Sequence, residues 1–222
     1  MGILDIIGPV MVGPSSSHTA GAVRIGAFAR RVLGTEPATA LVQLHGSFAA
    51  TGEGHGTHLA LLAGLLGLAP DDERIPRAEA LAAERGLAYR FEPADLGNVH
   101  PNSARLQLEA PGASLDLAAS STGGGRISVW NIDGFAVNLD GQYPTILLTY
   151  PDRPGAVAIV SAILANAGLN IATIKARRAA RGGDALMTVE LDTEPPASVL
   201  ESLCCLPQIQ QVRFIPSLDF GG

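Results

Sequence analysis

Apolar positions recur along the chain with two different periods, and they group into two blocks that meet near residue 142. In the second block, residues 145–150 form a β-rich run, and residues 156–168 carry apolar side chains at helical spacing. The rest of the block predicts two strands, a helix and a strand, at residues 169–179, 185–192, 195–206 and 208–215. This β-α-β-β-α-β order predicts a ferredoxin-like fold.

The first block mixes helical and alternating patterns. Residues 19–34 predict a helix with many small side chains, and residues 54–67 predict another. Strand-like runs lie at 39–47, 87–93, 104–110, 114–120 and 126–134. Several strands with two early helices indicate an α+β fold arranged as an α/β sandwich. We therefore expect one domain over residues 1–141 and a second over 143–217.

Short motifs in the second block add a resemblance. A strand that ends in Asp152-Arg153-Pro154-Gly155, followed by a helix that ends in the sequence GLNI (168–171), resembles an ACT domain. Such domains are small regulatory modules that often bind amino acids between paired copies. The resemblance implies self-association and an effector site that includes Asp152, Pro154, Gly155 and Asn170. Free amides at the helix start after Pro154 suit a carboxylate, although Pro-Gly can also simply begin a helix.

Composition excludes several classes of protein. The 222 residues are 47% hydrophobic and 16% charged, which is typical of a packed globular protein rather than a disordered one. A net charge of −6 argues against nucleic-acid partners. The longest apolar run, residues 59–69, is too short to span a membrane, and the first residues lack the basic segment of a secretory leader.

Cysteine and lysine usage restricts the chemistry further. Cys204 and Cys205 are the only cysteines and are adjacent, which excludes a disulfide framework and fits a reducing cytoplasm. Two neighbouring thiols cannot supply the three or four cysteine ligands of an iron–sulfur cluster. Lys175 is the only lysine, so a pyridoxal-phosphate Schiff base would depend on it alone.

The stretch GPSSSHTAG (13–21) places five polar side chains after a turn at Pro14 and before a helix. A serine or threonine can cap that helix, and the remaining hydroxyls with the free amides can form a cup for a carboxylate. His18 is the side chain here that exchanges protons near neutral pH. The pattern therefore fits an anion cup beside a proton-transfer group, and it equally fits a Ser-rich helix cap.

A glycine-rich stretch follows the first predicted strand, in LHGSFAATGEGHGTHLALL (44–62). His55 and His58 are three residues apart at a helix start, a spacing that can hold a metal, and His45 precedes them. No third ligand lies close in sequence, so we assign no metal ligand in this chain. The alternatives are a mobile loop whose amides border a pocket and an ordinary strand-to-helix connection.

Two further stretches complete a specific set. HPNS (100–103) sets His100 and Asn102 around a proline, and STGGG (121–125) permits either a hairpin turn or a close approach to a ligand. With GPSSSHTAG, the glycine-rich stretch and the ACT-like block in this order, the chain resembles the β chain of the bacterial iron–sulfur-dependent L-serine dehydratases. The resemblance covers nearly all of the chain.

This resemblance implies a reaction that converts L-serine to pyruvate and ammonia without pyridoxal phosphate. A 4Fe–4S cluster, held by a separate α chain, acts as the Lewis acid. By the same resemblance His18 is the expected catalytic residue, with a proton-transfer or hydroxyl-orienting role. The expected substrate-binding residues are Ser15, Ser16, Ser17, Thr19, His100, Asn102, Gly123 and Gly124.

One position departs from the family pattern, and two other functions stay open. His58 stands where the family leads us to expect an acid, so an acid-dependent role at this loop is in doubt. A free-standing amino-acid sensor, built from a binding domain and an ACT module, would have the same organisation. A metal hydrolase that uses His45, His55 and His58 is the third hypothesis.

Overall fold

A computed structural model describes residues 11–13 and 15–218, without the side chain of Glu53. The predicted turn at Pro14 and the first ten residues lie outside this part of the chain. Contacts divide the described chain into two compact units. The first holds the residues up to 133, with 137–140 and 218, and the second holds 134–136 and 141–217.

The first unit is built on a six-stranded sheet with the order β2-β1-β3-β4-β5-β6. β1 pairs in parallel with β2, whereas β3 pairs antiparallel with β1 and β4, and β4 antiparallel with β5. Alternate apolar side chains of β1, β3 and β4 are buried, as the period-2 pattern predicts. The strands are β1 (Thr39–His45), β2 (Ala88–Pro93), β3 (Ser103–Ala110), β4 (Ala113–Gly123), β5 (Arg126–Ile132) and β6 (Phe135–Leu139).

Helices connect and cover this sheet. A π-helical turn, Ser16–Ala20, leads into α1 (Gly21–Leu33), which ends at Gly34 in the left-handed region. α1 packs against β4, β5 and α3. The parallel β1–β2 connection contains α2 (Ser47–His55), α3 (Thr57–Leu65), a 3₁₀ turn (Ile75–Arg77) and α4 (Ala78–Glu84).

The glycine-rich connection differs from the predicted mobile loop. Residues 47–55 form α2, and the predicted helix over 54–67 is interrupted at Gly56, whose φ of 68° is left-handed. Gly52 and Gly54 therefore lie within a helix, although glycine has a low helix propensity. Packing against neighbouring elements, rather than intrinsic propensity, stabilises α2.

The second unit has the predicted β-α-β-β-α-β order. Its sheet is antiparallel with the strand order β10-β7-β9-β8. Its core combines side chains of β7 and β9 with Val160, Leu164 and Leu203 from the two helices. The elements are β7 (Thr145–Pro151), α5 (Ala156–Asn166), β8 (Ile171–Arg178), β9 (Asp184–Leu191), α6 (Ala197–Cys204) and β10 (Gln211–Ile215).

The two units together confirm the predicted α+β class with a ferredoxin-like second block. Over the described residues, no helix is both long enough and apolar enough to cross a membrane.

Candidate active site

The four polar stretches singled out in the sequence meet at one edge of the six-stranded sheet. His45, at the end of β1, is paired with Ser103 at the start of β3, which is paired with Ser120 near the end of β4. Antiparallel strands bring the end of one strand beside the start of the next. Motifs separated by about a hundred residues therefore become neighbours, and the start of α1 joins them.

The SSSHT segment forms the π-helical turn ahead of α1. Ser15 caps it, because its hydroxyl accepts a hydrogen bond from the His18 backbone N–H at 3.3 Å. Gly21 lets the turn lie directly on β4, since a Cβ at this position would stand 2.0 Å from Ser121 Oγ. The turn is thus held at both ends, and His18 projects from its middle.

Both ring nitrogens of His18 face hydroxyl groups. Ser15 Oγ lies 3.3 Å from Nδ1, and on the other side Ser47 Oγ and Thr51 Oγ1 lie 3.3 and 3.2 Å from Nε2. A hydroxyl can donate or accept, so these partners suit either neutral tautomer. The imidazole can therefore accept a proton at one nitrogen while it releases one at the other.

Two rings complete the surroundings of His18. Phe48 meets it edge-on at a centroid distance of 5.4 Å, and His55 lies beside it at 4.9 Å. Burial, reinforced by the nearby His55 ring, lowers the pKa of His18 below its usual value. This shift favours the neutral imidazole, the form that can accept a proton.

The other serines and the glycine turn meet beside this histidine. Gly124 and Gly125 form the tight β4–β5 hairpin turn with positive φ angles, and Gly123, also at positive φ, comes near Ser17 Oγ. The structure confirms the hairpin interpretation of this stretch. Ser16 and Ser17 are half-buried, whereas Thr19 is buried with no hydrogen-bond partner for its hydroxyl within the described part.

The HPNS segment is hydrogen-bonded to two of the segments that form the site. The carbonyl of Pro101 accepts the backbone N–H of Ser47, at 2.9 Å, and so anchors the start of α2. His100 Nδ1 accepts the backbone N–H of Asn102, whose own carbonyl accepts from Ser121. His100 is largely exposed and Asn102 half-buried.

Sequence reasoning missed Ser47 and Thr51 as site residues. Along a helix, positions 47, 51 and 55 share one face, which is the face turned to His18. The polar residues at this spacing were the available signal. The glycines between them made the segment look like a loop and concealed it.

The comparisons with known proteins agree with the motifs. The family described as serine dehydratase beta chain matches residues 3–88, and the ACT domain family matches residues 145–204. The probable L-serine dehydratase beta chain of Bacillus subtilis is 42% identical over 96% of this chain and 97% of its own length.

This chain belongs to the L-serine dehydratase beta-chain family. The L-serine dehydratase beta chain of Peptoniphilus asaccharolyticus is 38% identical over 95% of this chain and 96% of its own length. D-3-phosphoglycerate dehydrogenase of Mycobacterium bovis is 28% identical over 73% of this chain, which corresponds to 31% of that enzyme.

The three histidines of the hydrolase hypothesis have separate surroundings in this beta-chain family member. His45 Nδ1 accepts the Leu96 backbone N–H at 3.2 Å, His55 lies beside His18, and His58 meets Phe91 edge-on. Among the described side chains, which do not include that of Glu53, no group of three or more His, Cys, Asp or Glu is arranged to hold a metal.

An iron–sulfur cluster does not fit the residues of this beta chain. Cys204 and Cys205 are exposed free thiols at the end of α6, and no other cysteine exists in the sequence. Two cysteines cannot supply the three or four thiolate ligands that such a cluster needs.

The glycines of α2 border a cavity of about 590 Å³. Its walls combine Phe48, Gly52 and Gly54 of the α2 segment with His58 of α3 and Phe91 of β2. His58 Nδ1 is buried, and none of the described residues bonds to it. Because a histidine replaces the expected acid, this position carries no fixed negative charge.

Replacing His55 with Asn is expected to raise the pKa of His18, because it removes the neighbouring imidazole that disfavours the protonated form. A folded-state pKa below that of the unfolded chain means that folding stability is lost as pH falls below about 6.5, where the unfolded chain takes up the proton first. His55→Asn should therefore reduce this loss of stability.

An NMR titration of the His18 ring proton measures the shift directly, and denaturant unfolding at several pH values measures the stability. His58→Asn is the matched control, since His58 does not contact His18. It should leave the pKa of His18 and the pH dependence of stability unchanged. An unchanged or lowered His18 pKa in His55→Asn would contradict the assigned cause.

Proposed function

We propose that this chain is the β subunit of an L-serine dehydratase that works with a cluster-bearing α chain to convert L-serine to pyruvate and ammonia. The observation that carries the proposal is the match, over nearly the whole length of both chains, to two proteins named as L-serine dehydratase beta chains. The exposed free thiols of Cys204 and Cys205 suit a reducing cytoplasm.

In this proposal the SSSHT turn contributes binding and proton transfer. Loss of the β-hydroxyl from L-serine requires removal of the α-proton and protonation of the leaving oxygen. Neutral His18, hydrogen-bonded to hydroxyls on both nitrogens, is suited to take or deliver one of these protons. Ser15, Ser16, Ser17 and the amides of the turn hold the substrate carboxylate.

His100, Asn102, Gly123 and Gly124 complete the proposed substrate pocket. They lie on the two segments that border the turn, and Gly123 stands next to Ser17. Thr19 has a different place, because its buried side chain packs at Gly13, where an added Cβ would stand 2.2 Å from its hydroxyl. In this proposal Thr19 shapes the turn rather than touching the substrate.

Reconstitution tests the proposed function. The chain should form pyruvate from L-serine only when it is combined with an α chain of the same family under anaerobic conditions. Neither chain alone should form pyruvate from L-serine. Activity from the β chain alone, or no activity from any reconstituted pair, would overturn the proposal.

A free-standing amino-acid sensor is the second candidate, and the ACT-like unit is the observation that favours it. Calorimetry on the isolated chain separates the two. A sensor should bind L-serine without a partner, and its affinity should be unaffected by an α chain. Weak or absent binding by the isolated chain, with turnover after reconstitution, favours the dehydratase.

The proposed effector residues make exposed hydrogen bonds within the ACT-like unit or begin its first helix. The Asp152 carboxylate accepts hydrogen bonds from the Gly182 amide and Arg178, and the first of these is the main cause of its lowered pKa. Asn170 donates to Asp192 at 2.6 Å, and Gly155 begins α5 with a left-handed φ of 100°. An effector at this turn would depend on backbone amides more than on Asp152.

We also propose that the chain self-associates through this unit as a homodimer. Val157 and Ile159 on α5 are exposed, and within the described sheet β8 pairs with β9 alone. Light scattering should give the mass of a dimer at micromolar concentration, and Ile159→Glu should shift it toward monomer. A wild-type monomer at that concentration would contradict the proposal.

A further inference from the structure

Four arginines surround a second cavity, which lies in the first unit and has a volume of about 400 Å³. They come from the end of α1, from the segment before the 3₁₀ turn and from the end of α4. None lies in the motifs discussed above, and the cavity shares no lining residue with the larger cavity beside α2. The four are Arg30, Arg31, Arg74 and Arg85.

Two of these guanidinium groups are held in place by the backbone. Arg30 Nη1 donates to the carbonyl of Leu65 at 3.1 Å, and Arg85 Nη1 donates to that of Leu66 at 2.9 Å. These carbonyls are at the end of α3, where the helix itself offers them no partner. A Cβ on Gly67 would stand 3.4 Å from Arg30 Nε, so this glycine keeps the space beside the guanidinium open.

The Glu36 carboxylate lies between two of these guanidinium groups. Glu36 Oε1 accepts hydrogen bonds from Arg30 at 2.8 Å and from Arg85 at 3.4 Å. The Arg30 hydrogen bond holds the pKa of Glu36 below its usual value. Because the Glu36 side chain is 56% exposed, it can move aside without opening the core.

Carboxylates of the chain pair with the arginines that line the cavity. Asp72 pairs with Arg74 through two hydrogen bonds, and Glu36 pairs with Arg30 and Arg85. Two carboxylates therefore pair with three of the four guanidinium groups that line the cavity. Guanidinium groups gathered around one cavity are suited to bind a phosphate group through paired, charge-assisted hydrogen bonds.

We propose that this arginine cavity binds the phosphate group of a small phosphomonoester, which takes the position of the Glu36 carboxylate between Arg30 and Arg85. A guanidinium presents paired donors that match phosphate oxygens. The cavity volume lies within the range of small-molecule sites, and its floor includes the buried side chains of Ala27, Leu66 and Leu68. This volume exceeds that of a phosphate group, so the cavity can hold a few carbon atoms as well.

Calorimetry on the full chain at low ionic strength tests this proposal, with glycerol 3-phosphate, inorganic phosphate and acetate as probes. Glycerol 3-phosphate should bind at least as tightly as inorganic phosphate, and acetate should bind far more weakly. Added salt should weaken binding. Phosphate binding is measured without an α chain and without L-serine. A negative result here is therefore distinct from a failure of the proposed dehydratase function.

Three variants separate a binding site from a structural ion-pair network. Arg74→Gln should weaken phosphate binding about tenfold or more. Glu36→Gln should tighten it roughly threefold or more, because a competing carboxylate is removed. The matched control is Arg90→Gln, since Arg90 also pairs with a carboxylate two residues away, Glu92, but lies outside the cavity.

The outcomes are distinct. Opposite changes in Arg74→Gln and Glu36→Gln, with Arg90→Gln unchanged, support the site. Equal affinities in all variants, weaker binding in Glu36→Gln, or no binding of either phosphate overturns it. Binding of inorganic phosphate with rejection of glycerol 3-phosphate overturns the assignment to a phosphomonoester.

Discussion

Replacing His18 with Ala is expected to lower the rate of pyruvate formation by the reconstituted α–β enzyme by about 10²-fold or more, which is the usual contribution of a general acid–base residue. The reason lies in the surroundings of the ring. His18 is kept neutral by burial and by His55, and both of its nitrogens face hydroxyl groups. Alanine removes the group that carries the proton, and these hydroxyls lose their hydrogen-bond partner.

The kinetic form of the loss identifies the role. A loss in kcat with little change in KM indicates proton transfer, whereas a rise in KM alone would assign His18 to binding. Added imidazole should restore part of the rate in His18→Ala. His58→Ala is the control for removal of a half-buried histidine from the same unit, and it should retain near wild-type kcat. Wild-type turnover in His18→Ala would contradict the proposed role.

The second large effect is structural. Gly64→Ala is expected to lower the free energy of unfolding by about 3 kcal/mol, because α1 and α3 cross at a pair of glycines. A Cβ on Gly64 would stand 2.1 Å from the Val23 carbonyl oxygen, and one on Gly26 would stand 2.3 Å from that of Leu61. The colliding atoms belong to the backbone, so no side-chain rotation relieves the overlap.

Separation of the two helices would loosen the core that they share. Phe28 and Ile25 on α1 and Leu61 and Leu65 on α3 are fully buried, and each would lose contacts. Since α1 follows directly from the SSSHT turn, the same change should also displace His18 and lower activity.

Denaturant unfolding of the full chain measures this effect. Gly54→Ala is the matched control, because Gly54 also lies in a helix but a Cβ there meets nothing within 4 Å. It should leave stability unchanged or raise it slightly, as expected from helix propensity. A Gly64→Ala chain as stable as Gly54→Ala would show that the helices can separate freely.

Periodicity was sufficient for the second unit and insufficient for part of the first. The helix at α5 and the strands at β7 and β9 have strong apolar patterns, and the structure confirms their order. In the first unit, α4 and β6 were not predicted, because both are short. Residues 48–53, which lie in α2, were predicted as a loop or a simple connection, since the glycines in and around them lower helix propensity.

The motifs of the candidate site were predictable from the sequence, whereas the residues that surround His18 were not. The polar run before α1 indicated an anion cup around His18, and Ser15 does cap the turn. Ser47, Thr51 and His55 became part of the surroundings of His18 only because α2 is a helix that faces it. Sequence spacing cannot show a contact between residues that are about thirty positions apart.

By itself, the sequence determined which chemistry this chain can carry. Two adjacent cysteines exclude a cluster held by this chain, a single lysine limits Schiff-base chemistry, and the run of polar residues before α1 supplies His18. These conclusions depend on which residue types are present, and folding does not change them.

Only the tertiary structure decided how those residues act. The antiparallel register brought His45, Ser103 and Ser120 to one edge, and the packing around His18 lowered its pKa. The arginine cavity likewise gathers side chains from three separate segments. Burial and proximity set the properties of these groups, and both depend on contacts between segments that are distant along the chain.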